Sequence, residues 1–255
     1  MSELAKLTWP EARARFTAEA VAFVPLGSTE PHGPHLPLDT DVTIALAQTR
    51  AAAGELERAG VRTLVLPAVP YGVTYFTDGF EGRVTLRTGT LWALLEDLVL
   101  SLEEQGLRRI VFSNGHLEPE HVNVLRGVAL DHAERTATKA QVLFPDNTRR
   151  RWAETLGDEF KSGDCHAGRY ETSLVLASDP ASVRVEAATL APVAIDLLAK
   201  MKAGVRCFAD AGATEAYCGD PARATVEEGR ERVQALARML VESVREAWPE
   251  LFRAT

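Results

Sequence analysis

The stretch Val21-Ala-Phe-Val-Pro-Leu-Gly-Ser-Thr-Glu-Pro-His-Gly-Pro-His-Leu-Pro-Leu-Asp-Thr-Asp41 decides how the chain is read. It opens on an apolar run that reads as a buried strand. It then breaks at Gly27, Pro31, Gly33, Pro34 and Pro37, which interrupt helix and ladder alike. The broken part carries Glu30, His32, His35, Asp39 and Asp41. Imidazole nitrogen and carboxylate oxygen are ligands that zinc and manganese accept. In extended backbone, residues two apart project to the same side, so Glu30 and His32 can face one point. A polar Gly/Pro-rich loop also arises simply from exposure, so the metal reading depends on what lies downstream.

At 255 residues, 46% hydrophobic and 25% charged, the chain suits one large soluble α/β domain spanning residues 1–255. A formal net charge of -8 disfavours nonspecific nucleic-acid binding, and Arg149-Arg150-Arg151 is too short a run to form a phosphate track. No apolar run is long enough to span a bilayer, and the first residues lack the layout of a secretory signal. A cytoplasmic protein without membrane partners is expected. Cys165, Cys207 and Cys218 form no C-x-x-C pair, which fits reduced thiols.

In chain order, a helix is predicted over residues 9–20, the strand over 21–26 and a helix over 42–60 with Asp39 or Thr40 as N-cap. A second strand follows over 61–69, then an aromatic, glycine-rich segment over 71–82 with the look of a substrate-facing or oligomer-contact loop. Leucines at helical spacing predict a helix over 90–106, and a strand over 108–112 runs into Ser113-Asn-Gly-His-Leu-Glu118. A helix over 118–135 and a strand over 141–144 complete the alternation. Strand–helix alternation of this kind implies right-handed crossovers and a three-layer α/β/α fold around a central, mainly parallel sheet. Beyond it, helices are predicted over 147–157, up to 178, near 195–201 and over 226–248, with 160–164 as loop and 179–225 largely irregular.

Ligands of such sheets bind beyond the carboxyl ends of the strands, where both His/Glu pairs fall. Glu30, His32, Asp41, His116 and Glu118 are therefore candidate metal ligands. Asp41 would bridge two ions, with Glu30 and His116 on one and His32 and Glu118 on the other. Two ions would lower the pKa of a water between them and polarise the bond it attacks. An amide C–N bond also needs a proton for its leaving nitrogen. His166 is the candidate donor and Glu171 its partner, although a helix-start histidine can equally sit in a polar network. His35 reads as a support behind the ligands, His121 and His132 as surface or packing residues, and Cys165 as an unreactive thiol.

The motifs 26–41, Asn114-Gly-His116 and His166-Ala-Gly-Arg-Tyr-Glu-Thr-Ser173, in this order, resemble the creatininase (creatinine amidohydrolase) family over roughly residues 20 to 180. The resemblance implies a creatininase-like α/β fold, two divalent ions of zinc or manganese, and hydrolysis of C–N bonds. It also implies a homo-oligomer, commonly a hexamer. Thr74 falls where the family places a substrate-contacting hydroxyl. Creatininase carries an aromatic residue at the position of Leu117 and a tryptophan just before the third motif, where this chain has Asp164-Cys165. Leu117 and Asp164 thus belong to a substrate pocket whose aromatic box is incomplete, with Trp152 the one nearby substitute.

The expected activity is cleavage of a small amide, a cyclic amide or a short peptide. The alternatives are a deformylase-like enzyme acting on a nucleotide-derived formamide, with Arg83, Arg87 or Arg169 for phosphate, and a peptidase-like member that trims a peptide-derived cofactor, to which the third motif is close. Outside enzymes, a metal-containing scaffold or a ligand-binding module would keep the side chains without turnover.

Overall fold

The computed structural model describes residues 1–134 and 140–252. A short edge strand, β1 (Ser2–Glu3), precedes α1 (Trp9–Arg13). The Thr8 backbone N–H and hydroxyl both donate to the Glu11 carboxylate, which starts this helix. It ends at Arg13 instead of running through residue 20. The Arg109 guanidinium donates to the Ala18 carbonyl, and Arg15, Thr17 and Ala20 turn back in short-range bonds, so the chain leaves the helix to enter the sheet.

β2 (Val21–Leu26) is buried along its whole length, as the opening motif predicts. There follow α2 (Thr40–Arg58), β3 (Thr63–Val65), α3 (Thr88–Glu104), β4 (Arg109–Asn114), α4 (Pro119–Ala133) and β5 (Gln141–Leu143). β3 is shorter than the expected 61–69 because Pro67 brings no N–H to the ladder; the chain rejoins β2 only at the isolated bridge between Val69 and Leu26. Arg135, the expected end of α4, lies outside the described residues.

The second half holds α5 (Arg150–Ala153), α6 (Asp158–Ser162), α7 (Arg169–Ser178), α8 (Leu197–Lys202), α9 (Phe208–Ala211) and α10 (Val226–Ala247). The helix expected over 147–157 shrinks to α5. The Asp146 carboxylate takes the Thr148 N–H and hydroxyl, and the Asp146 carbonyl takes the Arg149 N–H, which makes a turn of its opening. Residues 160–164, expected as loop, begin inside α6, a single turn bracketed by Gly157 and Gly163 at φ +98° and +86°.

The five strands form one parallel sheet in the order β1-β3-β2-β4-β5. Alternation along β2 splits its side chains between two cores. Val21 and Phe23 pack with Ile44 and Leu56 of α2 and Leu236 and Leu240 of α10, whereas Ala22, Val24 and Leu26 pack with Leu91, Leu95 and Leu125 of α3 and α4. This is the expected three-layer α/β/α arrangement. Each large side chain buried this fully stabilises the fold by about 1.5–3 kcal/mol.

Two glycines at adjacent strand ends let α2 begin directly above β2 and β4. A Cβ on Gly27 would come within 2.6 Å of the Val42 nitrogen, and one on Gly115 within 2.2 Å of the Asp41 carbonyl oxygen. Both obstacles are backbone, which cannot rotate aside. We expect Gly115→Ala to destabilise the protein by about 1–3 kcal/mol through overpacking, lowering the urea midpoint with little change in slope. An unchanged midpoint would show that the α2 start is not seated on Gly115.

Candidate metal centre

The loop after β2, the start of α2, the end of β4 and the first turn of α7 converge on one buried point. Glu30, His32, Asp41, His116 and Glu171 are each no more than a few per cent exposed. Asp41 lies in the first turn of α2, His116 just beyond β4 and Glu171 in the first turn of α7. Ala167, in the left-handed region at φ +50°, turns the chain between His166 and Glu171 and donates its N–H to Glu171 Oε2 at 2.7 Å.

The two imidazoles are fixed from behind by backbone carbonyls. His32 Nδ1 lies 3.0 Å from the Glu30 carbonyl oxygen and His116 Nε2 lies 2.7 Å from that of Val73. A carbonyl only accepts, so each of these nitrogens carries the hydrogen and the other carries the lone pair. Those lone pairs face carboxylates. His32 Nε2 is 3.2 Å from Asp41 Oδ1 and 3.6 Å from Glu171 Oε2, while His116 Nδ1 is 2.9 Å from Asp41 Oδ2 and 3.2 Å from Glu30 Oε1. Lone pairs pointed at lone pairs require positive charge between them.

The proton equilibria express the same demand. Burial alone disfavours a charged His32, yet Asp41, Glu171 and Glu30 outweigh it and lift its pKa to about 10. His116 is likewise raised well above the ordinary value against its burial, by Glu30 and Asp41. Burial pushes Glu171 up to about 8, with His32 opposing and Asp41 adding. The side chains form overlapping groups of metal-ligand type: Glu30 with Asp41 and His116, His32 with Asp41 and Glu171, and Glu30 with His32 and His166. Within each group the donor atoms lie within 4.8 Å of one another. Buried His32 Nε2 and Asp41 Oδ2 find no hydrogen-bond partner. A divalent cation fits this donor set.

Of the expected ligands, Glu30, His32, Asp41 and His116 come together, while Glu118 is in none of the close donor groups among the described residues. Its carboxylate accepts the backbone N–H groups of Tyr75 and Phe76 at 2.9 and 3.1 Å, and Glu171 stands beside His32 and Asp41. Thr74 also departs from expectation. Its hydroxyl donates to Glu30 Oε2 and contacts the Thr77 hydroxyl at 2.9 Å, so it steadies a carboxylate from behind. Asp164 faces away from the centre, accepting the backbone N–H groups of Ile195, Asp196 and Leu197.

His166 lies over His32 with ring centroids 4.5 Å apart, and Phe208 stacks on its other face at 4.1 Å and 17°. Phe208 was not legible as a site residue, because it approaches from the irregular second half. His35 contacts the Thr172 hydroxyl at 2.9 Å, behind the centre. His121 is no surface residue: it is fully buried, lies edge-on to His116 and meets Asn114 Oδ1 at 3.1 Å. His132 is buried too, 3.3 Å from the Glu96 carboxylate.

The centre opens into a cavity of about 260 Å³. Its floor includes Glu30, Asp41, His116, Glu118, His166 and Glu171; its walls include Leu117, Phe160, Leu197, Leu198, Met201 and Phe208. Trp152 does not line it, packing instead toward the helical core with the Arg151 guanidinium over its ring. Among the described residues, no helix is long and apolar enough to cross a membrane.

The family model described as creatinine amidohydrolase matches residues 5–244. The mycofactocin precursor peptide peptidase of Mycobacterium tuberculosis (strain ATCC 25618 / H37Rv) is 36% identical over 237 residues, covering 89% of this chain and 85% of that protein. The creatinine amidohydrolase of Pseudomonas putida is 30% identical over 201 residues, covering 69% of this chain and 71% of that protein. A solved manganese form of creatininase superposes with a TM-score of 0.71 at 25% identity, covering 98% of this chain and 100% of that one. With a family match over residues 5–244, the same fold and the family's motifs gathered at one buried point, the chain belongs to the creatininase family of amidohydrolases.

Proposed function

We propose that the chain hydrolyses a C–N bond of amide type in a short peptide, using two divalent cations of zinc or manganese. One would be held by Glu30, Asp41 and His116, the other by His32, Asp41 and Glu171. The observation that carries this reading is the position of Asp41, whose two oxygens face two different imidazoles at 3.2 and 2.9 Å. When bound, the cations supply Lewis acidity, making an attacking water acidic near neutral pH and polarising the amide carbonyl.

The chain's own residues handle the proton. His166 Nε2 lies 3.0 Å from the Pro31 carbonyl oxygen and donates to it, so Nδ1 carries the lone pair. Burial, and then the neighbouring His32, bring its pKa down to about 4, so the ring is neutral at pH 7. His166 takes a proton from the attacking water as oxygen bonds to the amide carbon. The same proton passes to the leaving nitrogen as the C–N bond breaks, so the ring ends as it began. Phe208 shields one face of His166 from water, and Glu118, held by the Tyr75 and Phe76 amides, presents a second carboxyl that burial has raised above its ordinary pKa.

Two features favour a peptide over a flat ring as substrate. The cavity walls combine aliphatic Leu117, Leu197, Leu198 and Met201 with phenylalanines, and Trp152 is elsewhere. The mycobacterial relatives, whose name describes cleavage of the mycofactocin precursor peptide, match a longer part of the chain at higher identity than the Pseudomonas putida creatinine amidohydrolase does.

Exhaustive chelation is expected to abolish peptide hydrolysis, and zinc or manganese to restore it. A panel of short peptides, creatinine and formamides, assayed before and after chelation, reads this directly; full activity in the chelated protein would rule the reading out. His166→Ala is expected to lower kcat by about 10²–10⁴ while metal content per chain stays that of the unsubstituted protein. Unchanged kcat would remove His166 from the reaction.

A further inference from the structure

Asp164 is buried at 7% exposure, two residues before His166, and its carboxylate is committed to backbone. Oδ2 accepts the N–H groups of Ile195 and Asp196 at 2.9 and 3.0 Å, and Oδ1 accepts that of Leu197 at 2.8 Å. Hydrogen bonds to an ionised acceptor are the strong kind, and three from consecutive amides leave the acceptor little freedom to shift. They converge where the chain is otherwise strained, because Asp196 sits in the left-handed region at φ +49°. Asp196 in turn caps the next turn, accepting the Ala199 N–H at 3.1 Å. The segment so held carries Leu197, Leu198 and Met201 into the cavity wall.

The far end of this segment is tied down as well. The Phe208 N–H donates to the Phe76 carbonyl at 2.8 Å, and the Phe208 ring packs on that of Phe76 and stacks on His166. Leu197, Phe208 and Ala211 form one apolar cluster, with Phe76, Ile195, Met201 and Val205 packed against it. The loop bearing His166 and the wall facing it are therefore linked through the Asp164 carboxylate and through the Phe208 ring, and the Cys218 N–H, from the same apolar cluster, donates to the His166 carbonyl at 2.8 Å. The wall is built on the short helices α8 and α9, and the Val193–Gly219 bridge lies at the near end of its segment, so its position relative to the floor depends on these links.

We propose that Asp164 is a positioning residue, which sets the distance between the apolar wall at residues 197–208 and the loop that carries His166. It touches neither substrate nor the reacting atoms. It acts through the wall, and so governs how tightly a substrate side chain is held more than how fast the bound substrate reacts. The assignment rests on the hydrolytic reading above for its kinetic readout only.

Asp164→Asn is the discriminating variant. It is nearly isosteric but offers one oxygen, so in either orientation of the amide at least one backbone N–H faces another donor. In metal-loaded protein we expect KM for short peptides with leucine beside the scissile bond to rise about tenfold while kcat changes little, and KM for their alanine counterparts to move less. Metal content should match the unsubstituted protein. Hydrogen exchange, followed on the same samples, should speed up over residues 195–212 and stay unchanged in β2 and β4. Exchange is read whether or not any peptide is cleaved, so a failure of the hydrolytic reading is distinguishable from a failure of this one. Unchanged exchange over 195–212 would overturn the proposal. So would an equal loss of kcat for leucine and alanine peptides, or loss of bound metal.

Discussion

Two buried imidazoles point their lone pairs at carboxylates, and the rest of the molecule is arranged to hold them so. The carbonyls of Glu30 and Val73 fix which nitrogen of His32 and His116 bears hydrogen. Neither ring can relieve the repulsion by turning without breaking a buried hydrogen bond, which costs about 1–3 kcal/mol. Taking three carboxylates out of water in one small volume is unfavourable unless cationic charge compensates them. The raised pKa values of His32 and Glu171 are what such a site does when protons must supply that charge.

The fold makes this concentration of like charge possible by drawing on separate elements. The β2 loop supplies Glu30 and His32, the α2 start supplies Asp41, the β4 end supplies His116 and the α7 start supplies Glu171. Each lies at or beyond a carboxyl end of the parallel sheet or at the N-terminal turn of a helix, where the dipole favours a carboxylate. Close approach at Gly27 and Gly115 brings the α2 start down onto the two strand ends. Behind the rings, Thr74, His121 and Asn114 satisfy groups that would otherwise be buried without partners.

Much of this architecture was legible in the sequence because it is local. The apolar run of β2 and its Gly/Pro break, the leucine spacing of α3 and the amphipathic α10 all follow from periodicity and turn residues. The pairing of Glu30 with His32 followed from extended geometry, and the structure keeps their side chains 3.9 Å apart. The same geometry does not show what holds Glu118. That residue is the N-cap position of α4, with Pro119 opening the helix, and the 71–82 segment folds over to capture its carboxylate with backbone amides. No spacing rule could show that Glu171 would stand beside His32 and Asp41, because Glu171 reaches the centre through the left-handed turn at Ala167. Phe208 and the contacts that Asp164 makes were opaque for a related reason. Their roles come from long-range contacts with the irregular 179–225 region, where short helices alternate with turns and no period accumulates.

The most direct test is the metal content of the intact protein after equilibration with zinc or manganese and removal of free ion, compared with an Asp41→Asn variant. The account predicts two ions per chain in the unsubstituted protein and loss of both sites' occupancy in the variant, because Asp41 would be the ligand they share. Trace metal in the unsubstituted protein, or the same stoichiometry in the variant, would contradict it.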